Sequence, residues 1–370
     1  MAAEPDFDAL SRAFQVPGTF GQAARIHSGH IHDTYVTTLV TPSGPVRFIQ
    51  QRINTQVFRE PQKLMENIAR VTAFARQQIE QAGGDPSRET LTLIPARDGR
   101  AFVRTPAGEY WRTYAFIEGA RTYEVSDSPG TLYSAARSFG NFQKLLERLP
   151  GPRLHETIPN FHHTPRRYQA FEAALAADLA GRAGEVAAEV DFIRQRKADT
   201  PVIVDLLAQG QVPERVTHND TKLNNVLIDE ASGEGLCVID LDTVMPGSAL
   251  YDFGDLVRMG AATAVEDEAD LAKAGIDLAR FEWLARGYLD AAREFLTPGE
   301  WSHLAFSARL ITLEQAMRFL TDYLNGDSYY RVSRAQHNLD RARNQLKMVA
   351  DMERKQEAMQ AVIDRCRGLA

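Results

Sequence analysis

The most informative stretch of this chain is VTHNDTKLNNVLID at residues 216–229, which is followed closely by LCVIDLD at residues 236–242. The apolar runs Val226–Ile228 and Leu236–Ile239 are typical of short strands. The connector at 231–235, ASGEG, is rich in turn-forming residues. These features predict a hairpin with a polar loop before its first strand and an acidic pair directly after its second.

Three oxygen-bearing side chains of this predicted hairpin are spaced so that they can meet at one point. Asp220 and Asn225 lie in the polar loop, and Asp240 ends the second strand. Magnesium prefers oxygen ligands of this kind, so Asn225 and Asp240 are candidate metal ligands. A phosphoryl-transfer enzyme also needs an aspartate that receives the proton of the attacking hydroxyl, and Asp220 is the candidate.

The pattern His-x-Asp-x-x-x-x-Asn at 218–225, followed by Ile239-Asp240, resembles the aminoglycoside-phosphotransferase and choline-kinase family. The longer strings at 218–225 and 240–247 resemble its sugar-kinase branch, the N-acetylhexosamine 1-kinases. The resemblance extends from about Ala23 to Met352. It covers nearly the whole chain, so it implies the fold as well as the reaction.

The implied fold is α+β, of the protein kinase-like type, with two lobes. A small N-terminal lobe, residues 1–116, is expected to carry an antiparallel sheet that covers the nucleotide. A large, mainly helical C-terminal lobe, residues 117–370, is expected to carry the catalytic and acceptor-binding groups. Two of the helices predicted in this second lobe are Arg167–Arg196 and Glu266–Ala274.

The resemblance also implies a reaction, in which the γ-phosphoryl group of ATP moves to the anomeric hydroxyl of GlcNAc or GalNAc. Asp220 would orient that hydroxyl and accept its proton, while Asn225 and Asp240 would hold Mg²⁺ against the phosphates. His218 would brace the loop. An anomeric hydroxyl is more acidic than an ordinary alcohol, so an aspartate with an ordinary pKa suffices as the base.

The nucleotide is expected to bind in the N-terminal lobe. Gly29 lies in the loop between the first two strands, where the related enzymes cover the nucleotide. The third strand, 48–52, contains no lysine, so Arg52 is the candidate phosphate-binding cation, Arg47 is the alternative, and Glu66 is its preferred partner. From the resemblance alone, adenine is expected to bind the backbone of the hinge residues Phe116, Ile117 and Glu118.

The acceptor is expected to bind near a block of sequence close to the C-terminus. In the sugar kinases that this block resembles, an arginine and a nearby tyrosine bind the acceptor, and the matching residues are Arg318 and Tyr329. A guanidinium group suits sugar hydroxyls, and an aromatic ring packs on a sugar face. His32 and Asp33, in the nucleotide-covering loop, are two further candidates for substrate contacts.

Several alternatives stay open at this point. Arg318 is equally consistent with a structural arginine paired to Asp322 or Glu314. The loop 158–165 is a candidate lining of the acceptor pocket. Its adjacent histidines, His162 and His163, could also suggest zinc, but this is disfavoured because His155 is the one further histidine or cysteine near them in sequence. An amino alcohol or an aminoglycoside would need an acidic pocket instead, for which there are four candidates: Asp255, Glu266, Asp267 and Glu268.

Residues 252–254 spell Asp-Phe-Gly, which is the metal-binding motif of protein kinases, but they lie too far beyond Asp240 for that role. In the family that this chain resembles, a later aspartate anchors the catalytic loop from below, so the resemblance implies a support role for Asp252 and Asp255. The sequence after Asp240 has no room for a long activation segment, which disfavours a protein kinase. A nucleotide-binding protein without turnover is disfavoured because the base and both metal ligands are present. A two-metal hydrolase is disfavoured because it leaves the strand-rich lobe unexplained.

The overall composition is that of an ordinary globular protein. Of the 370 residues, 44% are apolar and 25% are charged. The net charge of −7 argues against a nucleic-acid partner. Cys237 and Cys366 fit no zinc motif and favour a reducing compartment. With neither a signal peptide nor a membrane-spanning run, the chain is expected in the cytoplasm. Its expected partners are ATP and a small sugar acceptor, and no obligate protein partner is evident.

Overall fold

A computed structural model describes residues 5–26 and 31–368, and an antiparallel sheet dominates their N-terminal part. Its strands are β1 (Thr19–Ile26), β2 (Asp33–Thr41), β3 (Gly44–Arg52), β4 (Leu93–Ile94), β5 (Val103–Arg104) and β6 (Tyr110–Ala115). Their spatial order is β1-β2-β3-β6-β4, with β5 also paired to β6. The antiparallel sheet expected in the N-terminal lobe is confirmed.

The rest of the described chain is mainly helical. Two helices belong to the N-terminal part, α1 (Phe7–Ala13) and α2 (Pro61–Gln81). The helices that follow are α3 (Pro129–Leu146), α4 (Thr164–Ala177), α5 (Ala187–Arg194), α6 (Val202–Ala208), α7 (Ala249–Gly260), α8 (Leu278–Ala292), α9 (Pro298–Leu324) and α10 (His337–Arg367). The short strands among them are β7 (Ala120–Arg121), β8 (Arg215–Thr217), β9 (Val226–Asp229), β10 (Gly235–Val238) and β11 (Met245–Gly247). Strands β9 and β10 pair antiparallel, so the predicted hairpin is confirmed.

The two faces of the sheet have different environments, because side chains alternate along a strand and directly opposed residues share a face. Gln51 on β3 lies opposite Arg112 on β6, and both belong to the face that packs towards α2 and the helical part. Arg52 lies opposite Trp111 on the other face. There Trp111 packs edge-on against Phe7 of α1, with ring centroids 6.3 Å apart.

One apolar core joins the sheet to the helices. It contains Tyr114 from β6, Leu64 from α2, Phe139 from α3, Phe253 from α7 and Tyr288 from α8. All five side chains are almost completely buried. The hydrophobic effect is therefore the main force that holds the sheet and the helices together. The boundary between the lobes at residues 116 and 117 stays a prediction.

Helices α3 and α8 make an unusually close contact, and glycine permits it. A Cβ atom on Gly140 would lie 2.6 Å from the carbonyl oxygen of Tyr288, and one on Gly287 would lie 2.1 Å from that of Tyr133. Either contact would force the helices apart. Among the described helices none is long and apolar enough to cross a membrane. The cytoplasmic location stays a prediction.

The predicted helix Arg167–Arg196 is wrong, because the chain breaks between α4 and α5. Asp178 adopts a left-handed conformation with φ of 38°. Its Oδ1 accepts the backbone N–H groups of Arg182 at 2.7 Å and Ala183 at 2.9 Å. Such local side-chain bonds compete with the helix and end it.

The predicted helix Glu266–Ala274 is also wrong, since this segment forms turns. Glu268 accepts the N–H of Asp270 at 2.9 Å, and Asp270 accepts that of Ala272 at 3.1 Å. Acidic side chains thus take the donors that a helix would use. By contrast, α9 begins with a capping box formed by Thr297 and Glu300, which satisfies backbone N–H groups at the start of the helix.

Candidate active site

The loop after β8 is held from below by two buried carboxylates of α7. Asp252 accepts the backbone N–H groups of His218 at 2.9 Å and Asn219 at 2.7 Å. Asp255 accepts the N–H of Thr221 at 3.1 Å. The support role expected for Asp252 and Asp255 is therefore confirmed. It explains how a loop with few regular backbone bonds is fixed.

His218 braces this loop against the second half of the hairpin. Its Nε2 lies 2.9 Å from the carbonyl oxygen of Ile239, the residue before Asp240. The ring is fully buried and meets Phe139 and Phe142 at 5.4 and 5.9 Å between centroids. The bracing role expected for His218 is confirmed by these contacts, which tie the loop to the end of β10.

Asp220, the predicted base, lies at the open end of the loop with 26% of its side chain exposed. The amide nitrogen of Asn225 donates to its Oδ2 at 3.1 Å, and the ammonium of Lys222 lies 2.9 Å from the same oxygen. Burial works to raise the pKa of Asp220, but the Lys222 charge and these hydrogen bonds outweigh it and lower the pKa. The carboxylate is therefore ionised at neutral pH and able to accept a proton.

Asp240, a predicted metal ligand, follows β10 in a left-handed conformation with φ of 59° and ψ of 58°. Such a conformation is unfavourable for a residue other than glycine and concentrates at functional sites. Burial raises the pKa of Asp240 to about 7, and the charges of Asp242 and Asp220 contribute to that rise. A carboxylate crowded in this way is stabilised by a bound cation.

The donor set fits magnesium. Both donations by the amide nitrogen of Asn225 go to Asp220, to its carbonyl oxygen at 2.8 Å and its carboxylate at 3.1 Å. The amide oxygen of Asn225 is thereby left for a cation, and its backbone carbonyl oxygen accepts the N–H of Ile239, the residue before Asp240, at 2.9 Å. Within residues 5–26 and 31–368, no three histidine, cysteine, aspartate or glutamate side chains form a metal cage. Magnesium usually takes one or two protein ligands together with phosphate oxygens and water.

A buried ion pair lies directly beside this site and was missed from the sequence. Arg112 donates Nη1 and Nη2 to the two carboxylate oxygens of Asp242, both at 2.6 Å. Only 1% and 3% of the two side chains are exposed. Burial opposes ionisation, but the Arg112 guanidinium holds the pKa of Asp242 well below its ordinary value. Arg112 stands in no kinase motif, so only the pairing of β3 with β6 reveals it.

His32 lies beside this pair rather than beside Arg318 and Tyr329. Its Nε2 is 3.2 Å from Oδ1 of Asp242, within ion-pair distance but without hydrogen-bond alignment. Its Nδ1 accepts the backbone N–H of Asn54 at 3.0 Å. Asp33, the neighbouring candidate, binds Arg25 and Arg52. Substrate contacts by His32 and Asp33 stay predictions.

The predicted phosphate-binding group is arranged differently from our expectation. Arg52 binds Asp33 and Glu109, with 31% of its side chain exposed, on the face of the sheet turned towards α1. Glu66 lies 2.9 Å from Nε2 of His155. These two described residues therefore do not form the pair expected of them. Gly29 lies outside the described residues.

The three hinge residues connect β6 to β7. The N–H of Phe116 donates to the carbonyl oxygen of Arg47 at 3.2 Å, and the carboxylate of Glu118 binds the Arg47 guanidinium. The carbonyl oxygen of Glu118 accepts from Arg88 at 3.1 Å. Ile117 is buried in the main core. Adenine binding at these residues stays a prediction.

Arg318, the predicted acceptor ligand, projects from α9 between two aromatic rings. Its guanidinium carbon lies 5.3 Å from the ring centre of Phe161 and 5.8 Å from that of Tyr330. Its Nη1 donates to Gln315 at 3.0 Å. Arg167 is close by, and burial together with the Arg318 charge lowers its pKa. Two guanidinium groups thus share one partly exposed region, of which sequence reasoning found only the first.

Tyr329 and Asp322 lie further along the block of sequence that contains Arg318. Tyr329 is 65% exposed, and its ring packs edge-on against Tyr330 at 4.8 Å. Asp322 accepts three backbone N–H groups, those of Ser328, Tyr329 and Tyr330, at 2.8–2.9 Å. It therefore shapes the loop after α9 instead of binding Arg318, contrary to the alternative pairing considered from the sequence.

His162 links the Arg318 region to the catalytic loop. Its Nε2 lies 3.1 Å from the carbonyl oxygen of Asn219, next to Asp220, and its Nδ1 lies 2.9 Å from Glu314. Glu314 stands one helical turn before Arg318 on α9. The ring of Phe161, which Arg318 covers, belongs to the adjacent residue. The predicted base and Arg318 are thus connected by a short chain of direct contacts.

The comparisons with known proteins agree with this geometry. The model of the phosphotransferase enzyme family matches residues 22–289. The chain belongs to this family. The match includes the catalytic loop, Asp240 and the whole described sheet except the start of β1. The protein is therefore a phosphotransferase.

Several solved structures of such phosphotransferases are similar to this one in fold. A microcompartment-associated aminopropanol kinase has a TM-score of 0.63 at 18% identity and covers 96% of this chain and 98% of its own. An aminoglycoside phosphotransferase from Alicyclobacillus acidocaldarius has a TM-score of 0.62 at 12% identity, covering 100% and 98%. A spectinomycin phosphotransferase in complex with ADP and spectinomycin has 0.58 at 13% identity, covering 95% and 99%. The predicted α+β, protein kinase-like two-lobed fold is confirmed.

Proposed function

We propose that this phosphotransferase is an ATP- and Mg²⁺-dependent kinase that phosphorylates the anomeric hydroxyl of an N-acetylhexosamine, GlcNAc or GalNAc. The observation that carries the proposal is Arg318, held between the rings of Phe161 and Tyr330 and joined to the catalytic loop through His162. Rings and a donor fork are the groups that bind the faces and hydroxyls of a sugar.

The charge of the acceptor region supports a neutral, hydroxyl-rich acceptor. Arg318 and Arg167 repel a cation, and the nearby carboxylate of Glu314 is fully buried and already bound to His162 and Thr164. An ammonium group placed beside Arg318 and Arg167 would meet two like charges, while Glu314 is already engaged. Hydroxyl and amide oxygens, in contrast, accept hydrogen bonds from guanidinium groups.

The acidic pocket considered for an amino acceptor is unsupported, since each of its four carboxylates has a cationic partner. Asp255 and Glu266 both bind Arg258. Asp267 lies 3.5 Å from the Arg334 guanidinium, and Glu268 binds Lys273. The particular sugar, an N-acetylhexosamine, rests on the sequence resemblance at residues 218–225 and 240–247, whereas the acceptor class rests on these charges.

The mechanism follows from the loop geometry. The acceptor hydroxyl would approach the exposed Oδ atoms of Asp220, which would orient it and take its proton as the phosphoryl group transfers. Asn225 and Asp240 would hold Mg²⁺, which supplies charge neutralisation at the phosphates. Lys222 adds a positive charge next to Asp220. ADP in the spectinomycin phosphotransferase supports a nucleotide donor of this type.

A coupled ADP-release assay tests the proposal with a panel of acceptors. Turnover with GlcNAc or GalNAc, and none with ethanolamine, aminopropanol or an aminoglycoside, is the expected result. The Asp220→Asn variant serves as the blank, because it separates transfer from background hydrolysis of ATP. Turnover with amines alone would assign the protein to the amino-acceptor kinases and reject the sugar proposal.

A further inference from the structure

The cation that faces the candidate metal site comes from β6, not from β3. Arg52 shares its face of the sheet with Trp111, turned towards α1, and binds Asp33 and Glu109. The opposite face carries Gln51 on β3, whose amide oxygen accepts Nε of Arg112 at 2.9 Å. Gln51 therefore occupies the position from which a strand cation would reach the site, and it holds the cation of the neighbouring strand.

Arg112 connects the sheet to the segment that follows the candidate metal ligand Asp240. Asp242, its bidentate partner, lies two residues after Asp240 and belongs to the 3₁₀ turn Leu241–Thr243. The turn is anchored on its other side as well, because Thr157 donates to the carbonyl oxygen of Asp242 at 2.8 Å. Any displacement of the Asp242 carboxylate therefore acts on the backbone of Asp240.

Stability is a weak reason for such a pair to exist. Removing two charges from water costs about as much free energy as their attraction returns, so buried ion pairs are often matched by apolar residues of similar size. A bidentate arginine, however, fixes a carboxylate in one orientation. The benefit of the Arg112–Asp242 pair is thus geometric: it sets the position of the left-handed residue Asp240.

We propose that Arg112 is a positioning residue for the metal site, which acts through Asp242 to orient Asp240. This inference rests on the proposed metal-binding role of Asp240 and Asn225. It gives the cation of β6 a task different from the phosphate binding expected of a cation on β3. Arg112 touches neither substrate nor metal in this account, so its loss affects metal binding first and catalysis as a consequence.

Binding of Mn²⁺ in the presence of ADP, measured by electron paramagnetic resonance, tests the proposal without turnover. Arg112→Gln is expected to weaken Mn²⁺ binding about 10–100-fold, as other losses of groups behind a metal ligand do. Arg112→Lys is expected to restore part of it. Arg104→Gln, an exposed arginine on the adjacent strand β5, is the matched control and is expected to bind as the wild type does.

A double-variant cycle separates positioning from direct contact with the nucleotide. The double variant Arg112→Gln/Asp242→Asn also leaves no unpaired buried charge, which keeps the test usable should Arg112→Gln fold poorly. Its Mn²⁺ affinity is expected to fall no further than that of Asp242→Asn alone. Affinity for ADP without metal is expected to stay that of the wild type.

Each contrary result has a distinct meaning. Equal Mn²⁺ binding by the wild type and Arg112→Gln overturns the positioning role. A loss of metal-free ADP binding that matches the loss of Mn²⁺ binding also overturns it, because Arg112 then contacts the phosphates directly. A wild-type protein that binds ADP but no Mn²⁺ overturns the proposed metal site itself, and the inference with it.

Discussion

Asn225 donates its side-chain amide to Asp220 twice, at 2.8 Å to the carbonyl oxygen and at 3.1 Å to the carboxylate. The candidate base and one candidate metal ligand are therefore held together by direct hydrogen bonds within a single loop. The side chain that would hold the cation is thus fixed by the residue that would receive the proton.

Replacement of the base is expected to stop catalysis while leaving the fold and nucleotide binding intact. Asp220→Asn keeps the shape of the side chain but removes the proton acceptor, so kcat should fall about 10²–10⁴-fold. Steady-state kinetics with GlcNAc measure kcat, and titration calorimetry with ADP and Mg²⁺ supplies the control. Full activity of the variant would show that another group takes the proton.

Loss of Asp252 is expected to destabilise the protein strongly. Asp252→Ala leaves the backbone N–H groups of His218 and Asn219 without their acceptor in the interior, at a cost of about 2–5 kcal/mol in the free energy of unfolding. Denaturant unfolding measures the difference. Asp205→Ala, at an exposed position of α6, is the control and should change stability little. A variant as stable as this control would contradict the support role.

Loss of the Arg318 guanidinium is expected to affect the acceptor and not the nucleotide. Arg318→Gln removes hydrogen bonds from a charged donor, worth about 1.5–3 kcal/mol, so the KM for GlcNAc should rise at least about tenfold. The KM for ATP at saturating sugar should stay unchanged. Arg166→Gln, an exposed arginine of α4, is the control. An equal effect on both substrates would indicate a structural arginine.

The stability contributed by Glu314 is expected to depend on pH. Burial works to raise its pKa, but the hydrogen bonds from His162 and Thr164 outweigh burial, so the pKa lies below the ordinary value. A lowered pKa in the folded state stabilises the fold above the unfolded-state pKa of about 4.3, and this contribution is lost as the pH falls through the lower, folded-state value.

Comparison of the wild type with Glu314→Gln measures that contribution. The gap in unfolding free energy should be constant above about pH 5 and should shrink at lower pH. Glu357→Gln, at an exposed position of α10, should show a small gap throughout. If the difference in unfolding free energy between the wild type and Glu314→Gln widens on acidification, the folded-state pKa of Glu314 is raised instead.

The parts of the fold that local sequence determines were predicted well. The hairpin β9–β10 depends on residues close together in the chain. The two wrong helices also have a local cause, because in each of them acidic side chains bind backbone N–H groups and end or replace the helix. Helical periodicity alone does not reveal this competition between side-chain carboxylates and the helix for backbone N–H groups.

The parts of the site that depend on tertiary contacts were not predicted. Arg112 and Asp242 are 130 residues apart, and only the register of β3 with β6 reveals which arginine of the sheet faces the helices. Arg167 joins Arg318 through Phe161, again across the fold. In contrast, the support role of Asp252 was predicted from the family resemblance, which implies that a later aspartate anchors the catalytic loop.

The chemical form of the product tests the central claim most directly. The protein is incubated with ATP, Mg²⁺ and GlcNAc, and the product is examined by phosphorus NMR and by treatment with mild acid. The account predicts a phosphate coupled to the anomeric proton and released by mild acid, with one ADP formed per sugar consumed. An acid-stable phosphate at another hydroxyl, or turnover only with amino alcohols or aminoglycosides, would contradict it.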